Sequence, residues 1–180
     1  MSIGSSIVGV ADDFEGLVEL KSNASWRDAA RGAKFKEMIK RVGHEDGWAY
    51  CMSFCEGVWR VAYEEAGKDF SVIGKMLNPS VMSSYNNLKN AGISLRPAVP
   101  MEGAIFFMQS GASGNGHAGI VTGFDGKFLS TIEANTSPNP KDAAQDRDGG
   151  AGTGGVWRKR RSYDFTKRTG LWLKGILNPL

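Results

Sequence analysis

This chain of 180 residues predicts an α+β fold in which N-terminal helices pack on a small antiparallel β-sheet. Three observations carry that expectation. Up to about residue 92, apolar residues recur at three- and four-residue steps. Beyond Pro97 and Pro100 they gather instead in short runs rich in β-formers, and Asp125-Gly126 separates two of those runs as a hairpin turn.

The first helix is expected where Trp26, Ala29, Ala30, Ala33, Met38, Ile39 and Val42 alternate with charged residues, and Gly43 ends it. A second begins near Cys51. There Met52, Cys55, Val58, Trp59 and Ala62 form one stripe, and Cys51, Phe54, Val58 and Val61 form an adjoining one, so the helix should be mostly buried up to Gly67. A third follows Asn78-Pro79, with Pro79 suited to its first turn, and passes through Tyr85 and Leu88 to Gly92. Strands are expected over residues 104–108, 118–124, 127–135 and 155–161. Residues 136–155, with Pro138, Pro140 and the glycines from Gly149 onward, read as a flexible loop. The apolar residues Leu171, Trp172, Leu173, Ile176 and Leu177 should pack the tail onto the domain.

Composition limits the function classes. With 41% hydrophobic, 23% charged and 10% aromatic residues, the chain has enough apolar surface for a core, which excludes disorder over most of its length. A single domain over residues 1–180 is expected, with its core at about 45–165 and a basic tail at 156–180. No apolar run reaches the roughly 18 residues of a membrane span, and no Lys or Arg precedes the short apolar patch at residues 7–11. Neither a membrane anchor nor a secretory signal is therefore expected. Cys51 and Cys55 sit four residues apart on one helix, which rules out an unstrained bridge between them. Residues 156–180 hold seven Lys/Arg and one acid, net +6; the remaining 15 basic and 18 acidic residues leave 1–155 at net −3.

Two cysteines and two histidines make a short inventory for nucleophilic catalysis. The first turn of a helix offers unpaired N–H groups and the positive end of the macrodipole, both of which favour a thiolate. Cys51 occupies that place, where its backbone N–H can also face a carbonyl oxygen as that oxygen gains charge. Cys55 lies a turn deeper. His117 opens the strand at 118–124, and Glu133 and Asn135 alternate onto one face of the next strand as candidate orienters of its ring. Register decides whether they meet. A two-residue turn at Asp125-Gly126 would pair His117 with Ala134 and send Glu133 to the far face. A three-residue loop of Asp125, Gly126 and Lys127 with a bulge pairs His117 with Asn135 and makes Glu133 a diagonal neighbour, and this bulged form is the one expected. Taken singly, each residue also has a plain reading: Cys51 and Cys55 as core, His117 as a satisfied polar group, Glu133 as an exposed strand carboxylate, Asn135 as a turn residue.

The string Trp48-Ala49-Tyr50-Cys51-Met52-Ser53-Phe54 resembles the cysteine segment of the CHAP family, the cysteine, histidine-dependent amidohydrolases/peptidases related to the NlpC-like papain group. Pro100-Met101-Glu102-Gly103-Ala104, Gly116-His117-Ala118-Gly119-Ile120-Val121, Thr131-Ile132-Glu133-Ala134-Asn135-Thr136 and Gly155-Val156-Trp157-Arg158 resemble its later motifs, in the same order. Three positions depart from the pattern: Ala104 for Asp, Ala134 for Gly, and Tyr50 where many members carry Gln. The resemblance implies a papain-like fold, with Cys51 as nucleophile, His117 as base, Glu133 as its orienter and Asn135 close by. It also implies peptidoglycan as substrate, cleaved at an amide bond.

Tyr50 and Trp48 flank the cysteine as candidates for the groove, with the Tyr50 hydroxyl a possible oxyanion donor. No cofactor and no metal are expected; only Glu45 and Asp46 lie near the cysteine, too few for a calcium site. The basic tail offers contact with an anionic wall polymer or membrane surface, while nucleic acid is not expected as a partner. A monomer is expected. Lacking an export signal, the chain reads as a phage endolysin made in the host cytoplasm and acting on the wall after release, or else as an injected interbacterial amidase effector. Two competing classes are a non-enzymatic zinc protein using His44, Cys51, Cys55 and His117, and a papain-like deamidase or protease acting on proteins.

Overall fold

The computed structural model describes residues 1–21, 23–138 and 154–180. Helices come first: α1 (Ile3–Asp12), then a small ribbon of β1 (Glu19–Lys21) and β2 (Ser25–Trp26), then α2 (Ala29–Lys40), α3 (Cys51–Glu65), α4 (Ser71–Gly74) and α5 (Val81–Asn90). The strands β3 (Ile105–Ser110), β4 (Gly116–Phe124), β5 (Phe128–Thr136), β6 (Gly155–Ser162) and β7 (Leu171–Leu177) follow. They form one antiparallel sheet in the order β6-β5-β4-β3-β7. The chain is thus α+β and papain-like in layout, a central helix lying against an antiparallel sheet.

The two adjoining stripes of α3 have the consequence their width requires. Residues from Cys51 to Trp59 are all buried, and α1 and α2 pack beside them. Gly57 lets α2 approach, since a Cβ there would stand 2.8 Å from Met38 Cγ. On the other side the Trp59 indole N–H donates to the Gly103 carbonyl at 2.8 Å, tying the helix to the entry of β3.

Sheet residues divide by parity between two apolar clusters. Ile105, Phe107, Ala118, Ile120, Ile132, Ala134 and Val156 join the cluster of α3. Ala104, Phe106, Met108, Val121, Leu129, Leu171 and Leu173 form the second, beneath Phe124, Tyr163 and Phe165. His117 and Glu133 have the parity of the second face. Gly119 marks how closely that face is packed, because a Cβ there would lie 2.7 Å from both Glu133 Cγ and Phe106 Cε1.

Several expectations require correction. The apolar patch near the N-terminus is part of α1, capped by Ser2, whose side chain accepts from the Ser5 N–H at 3.1 Å. Trp26 lies in β2, ahead of α2, and α4 was not foreseen. Pro79 falls just outside α5, whose cap is Ser80. The C-terminal apolar residues do pack onto the domain as expected, and they do so as the edge strand β7, irregular opposite Phe107/Met108. Gly175 gives the Tyr85 ring and Leu95 room beside that strand. Most of the loop expected over 136–155 lies outside the described residues.

The hairpin reaches the expected register by a different route. Phe124 pairs with Leu129, and the Asp125 N–H donates to the Phe128 carbonyl at 3.2 Å, closing a two-residue loop of Gly126 and Lys127; the Asp125 side chain accepts from the N–H groups of Lys127 and Phe128, and Gly126 has φ +92°. The extra residue is Thr122, between Val121 and Gly123, after which Ile120 pairs with Ile132. Counting on from that pair places His117 in step with Asn135 and leaves Glu133 on the diagonal.

Glycine substitutions test this packing by denaturation. Gly119→Ala is expected to lose about 1–3 kcal/mol because neither Glu133 nor Phe106 has space to retreat. Gly123→Ala, whose Cβ would meet only Ser130 Cβ at 3.8 Å, should stay within about 0.5 kcal/mol of wild type. Equal loss in both would contradict the packing described.

Candidate active site

Cys51 is the first residue of α3, and Tyr50 precedes it with no side-chain cap. The first intrahelical bond runs from the Phe54 N–H to the Tyr50 carbonyl at 2.9 Å, so the N–H groups of Cys51, Met52 and Ser53 come before any intrahelical acceptor. The cysteine is only 4% exposed, and it borders a cavity of about 180 Å³ lined also by Ala49, Pro79–Val81, Gly114–Gly116 and Asn135.

His117 is 2% exposed and has Cys51 on one side, close enough for the sulfur to favour the charged ring. On the other side its Nε2 meets Glu133 Oε2 at 2.8 Å. Because an ionised carboxylate only accepts, Nε2 carries the hydrogen, which leaves Nδ1 for the sulfur. Burial works against a charged imidazole, but the neighbouring Cys51 and the hydrogen-bonded carboxylate of Glu133 outweigh it and raise the ring to about 9. Glu133 has no solvent exposure. Burial alone would lift it, yet the Arg161 charge and its hydrogen bonds, with those of His117, hold the carboxyl well below the usual carboxylate range. Its Oε1 accepts from Thr131 Oγ1 at 2.6 Å and Arg161 Nε at 2.8 Å, and its Oε2 also accepts from Arg161 Nη2.

Asn135 is nearly buried, lines the cavity and adopts a left-handed conformation at φ +59°, where the β5–β6 ladder is irregular. It is therefore beside the cysteine, although the backbone there breaks the regular alternation that would put its side chain on the Glu133 face.

Tyr50 and Trp48 are placed differently from expectation, for neither lines the cavity. The Tyr50 ring turns into the core among Trp26, Phe35 and His44. Its hydroxyl donates to Glu19 Oε2 at 3.1 Å and accepts from the Asn135 backbone, so that proton is already committed. Burial and the Glu19 charge further push the phenol up, away from any acidic role. Trp48 is 46% exposed and lies edge-on to His44.

The four proposed zinc ligands do not assemble. His44 Nδ1 is engaged with Ser53 Oγ at 3.1 Å and His117 with Glu133. Among the described residues no three His, Cys, Asp or Glu side chains are arranged to hold a metal ion. Cys55 is fully buried, and burial pushes its thiol well up.

Arg161 and Thr131 were missed. Within the basic tail, the run at 158–161 lies on a strand, which sends alternate members to opposite faces. Arg158 reaches out to Asp12 and Glu15, Arg160 to Asp125, and Arg161 turns inward to Glu133. The alternation Trp157, Lys159, Arg161, paired across β5 with Glu133, Thr131 and Leu129, was the signal available.

A cysteine at the start of a buried helix, joined through a strand histidine to a buried carboxylate, is the constellation of a papain-like hydrolase. The chain belongs to the CHAP domain family, whose pattern matches residues 42–135 and spans Cys51, His117, Glu133 and Asn135. Membership makes it a hydrolase of the amidase or peptidase class directed at peptidoglycan. No curated protein and no solved structure matches the chain.

The raised imidazole sets a pH limit. For an amide hydrolysis in which this ring gives the proton to the leaving amine, the alkaline limb of kcat/KM should fall near pH 9. Glu133→Gln removes the anion that favours the charged ring and should move that limb down, toward the ordinary imidazole value of about 6.5. A limb unmoved by the substitution would contradict this electrostatic account.

Proposed function

We propose that the protein is a cysteine-dependent peptidoglycan amidohydrolase or endopeptidase, with Cys51 as nucleophile, His117 as acid and base, and Glu133 as the group that orients His117. The observation that carries this reading is the placement of His117 between Cys51, at the border of the cavity, and the buried Glu133, to which its Nε2 is hydrogen-bonded at 2.8 Å. The sulfur attacks an amide carbonyl, and the Cys51 backbone N–H faces the oxygen as it becomes an oxyanion. Collapse of the tetrahedral species breaks the C–N bond as His117 gives its proton to the amine. Water then loses a proton to His117 and attacks the thioester, the C–S bond breaks, and the carboxylic acid leaves with the thiolate–imidazolium pair restored. Asn135, at the cavity wall, contacts the bound peptide.

Family membership together with the short polar cavity favours a wall-lytic role, which we assign to a phage endolysin made in the host cytoplasm and acting on the wall after release. The outward charge available for an anionic wall polymer is smaller than the sequence suggests. Arg158 and Arg160 are paired on the surface and Arg161 is buried, while Lys167, Arg168 and Lys174 have no carboxylate within 4 Å among the described residues.

Turbidity loss of purified sacculi, with mass analysis of the fragments, is the test. Cys51→Ala should abolish cleavage, lowering it by at least about 1,000-fold. Cys55→Ala should keep it, at a stability cost of about 1 kcal/mol. Sacculi left intact by wild-type enzyme that still deamidates or cleaves proteins would overturn the wall assignment, and equal loss in both variants would overturn the choice of nucleophile.

A further inference from the structure

We infer that Arg161 is a positioning residue for the reacting pair: through Glu133 it fixes both the charge and the direction of the carboxylate against which His117 is held. The inference rests on the proposed roles of Cys51, His117 and Glu133. Arg161 itself lies on β6, beyond the residues 42–135 that match the family.

Direction follows from counting donors. A carboxylate offers about four lone-pair sites, and Glu133 receives four hydrogen bonds from the described residues: Thr131 and Arg161 Nε on Oε1, Arg161 Nη2 and His117 Nε2 on Oε2. Arg161 grips both oxygens with one rigid fork, so the carboxylate cannot rotate without breaking two bonds at once. One site on Oε2 then remains for His117, and the ring is aimed by elimination.

Charge follows from burial. Arg161 is 1% exposed and Glu133 fully enclosed, so the two ions compensate each other where water cannot. Among the described residues, the titratable groups around Glu133 are His117 from β4, Arg161 from β6 and Cys55 from α3, with Cys51 on the other side of His117. Lys159, opposite Thr131 on β6, shares the face, and Asp164 and Lys167 stand beside Arg161 at the far side of the sheet. Along the chain the reacting state alternates thiolate, imidazolium, carboxylate and guanidinium, a set of zero net charge. Taking away the guanidinium removes the positive charge bonded directly to both oxygens of Glu133, and that loss favours uptake of a proton by the remaining groups of the chain. If that proton settles on the sulfur, the nucleophile is lost. If it settles on Glu133, His117 loses the anion that keeps its own proton, and the thiolate beside it loses its counter-charge.

The test combines iodoacetamide alkylation of Cys51 with steady-state hydrolysis of sacculi. A Cys55→Ala background keeps alkylation specific to Cys51, and circular dichroism checks folding. Arg161→Gln is expected to slow alkylation at pH 6.5 by about tenfold, with recovery as pH rises, the displacement one unit of proton affinity produces. Arg161→Lys keeps the charge but not the fork. Its alkylation profile should stay close to wild type while kcat falls about 10- to 100-fold with KM little changed, because the ring is no longer aimed. A purely structural role would lower stability and move neither profile. A folded Arg161→Gln protein with wild-type alkylation at every pH overturns the inference. So does wild-type kcat in Arg161→Lys, which also decides the matter if the Gln variant does not fold. Cleavage retained by Cys51→Ala would instead sink the underlying reading, so the two failures are distinguishable.

Discussion

A carboxylate taken wholly out of water must either bind a proton or be matched by charges and donors of its own, because the cost of an unpaired buried ion exceeds what a domain of this size can bear. Glu133 meets the second condition with hydrogen bonds from Thr131, Arg161 and His117. The rest of the site is arranged around that solution. His117 is held by a fixed acceptor, which settles which nitrogen faces Cys51. Its proton is stabilised by the same acceptor, and the cysteine at the mouth of α3 has a cation beside it.

The fold delivers these groups from opposite sides of the sheet plane. α3 lies on the face made by Ala118, Ile120, Ile132 and Ala134, whereas His117, Glu133 and Arg161 have the parity of the other face. They meet because α3 begins at Cys51 and β4 begins at Gly116, which places His117 beside the sulfur at the end of the central strand. Thr122 contributes from a distance: the one extra residue it inserts into β4 sets the step between β4 and β5, and a sheet without it would exchange the faces of every residue beyond. Gly119 and Gly116 leave the space that the charged groups and the cavity occupy. A Cβ at Gly116 would lie 2.6 Å from the Met108 carbonyl.

Much of this was legible in the sequence. Apolar spacing identified α2, α3 and α5, and the β-forming runs identified four of the five main strands within a few residues. A scarcity of Cys and His narrowed the reacting groups, and the ordered motifs pointed to the family that residues 42–135 match. What stayed hidden had local reasons. α1 is short and opens a chain rich in small and β-branched residues, so Ile7 and Ala11 looked like a patch rather than one face of a helix. Tyr50 could not be oriented from its neighbours, because its direction depends on Glu19, far away in sequence. Arg161 was masked by its own surroundings: in a run of four cations only the pleat tells which faces a buried acid. The step of the hairpin was expected at the turn and lies instead inside the strand, a difference that local turn chemistry at Asp125-Gly126 does not reveal.

The central claim is that His117 rests as an imidazolium, held so by Glu133. Nitrogen-15 NMR of the ring in the resting enzyme, followed across pH, measures this directly. The account predicts shifts of a doubly protonated ring at pH 7.5, with the change to the neutral form centred near 9. A ring already neutral at pH 7.5, with one bare nitrogen, would contradict it.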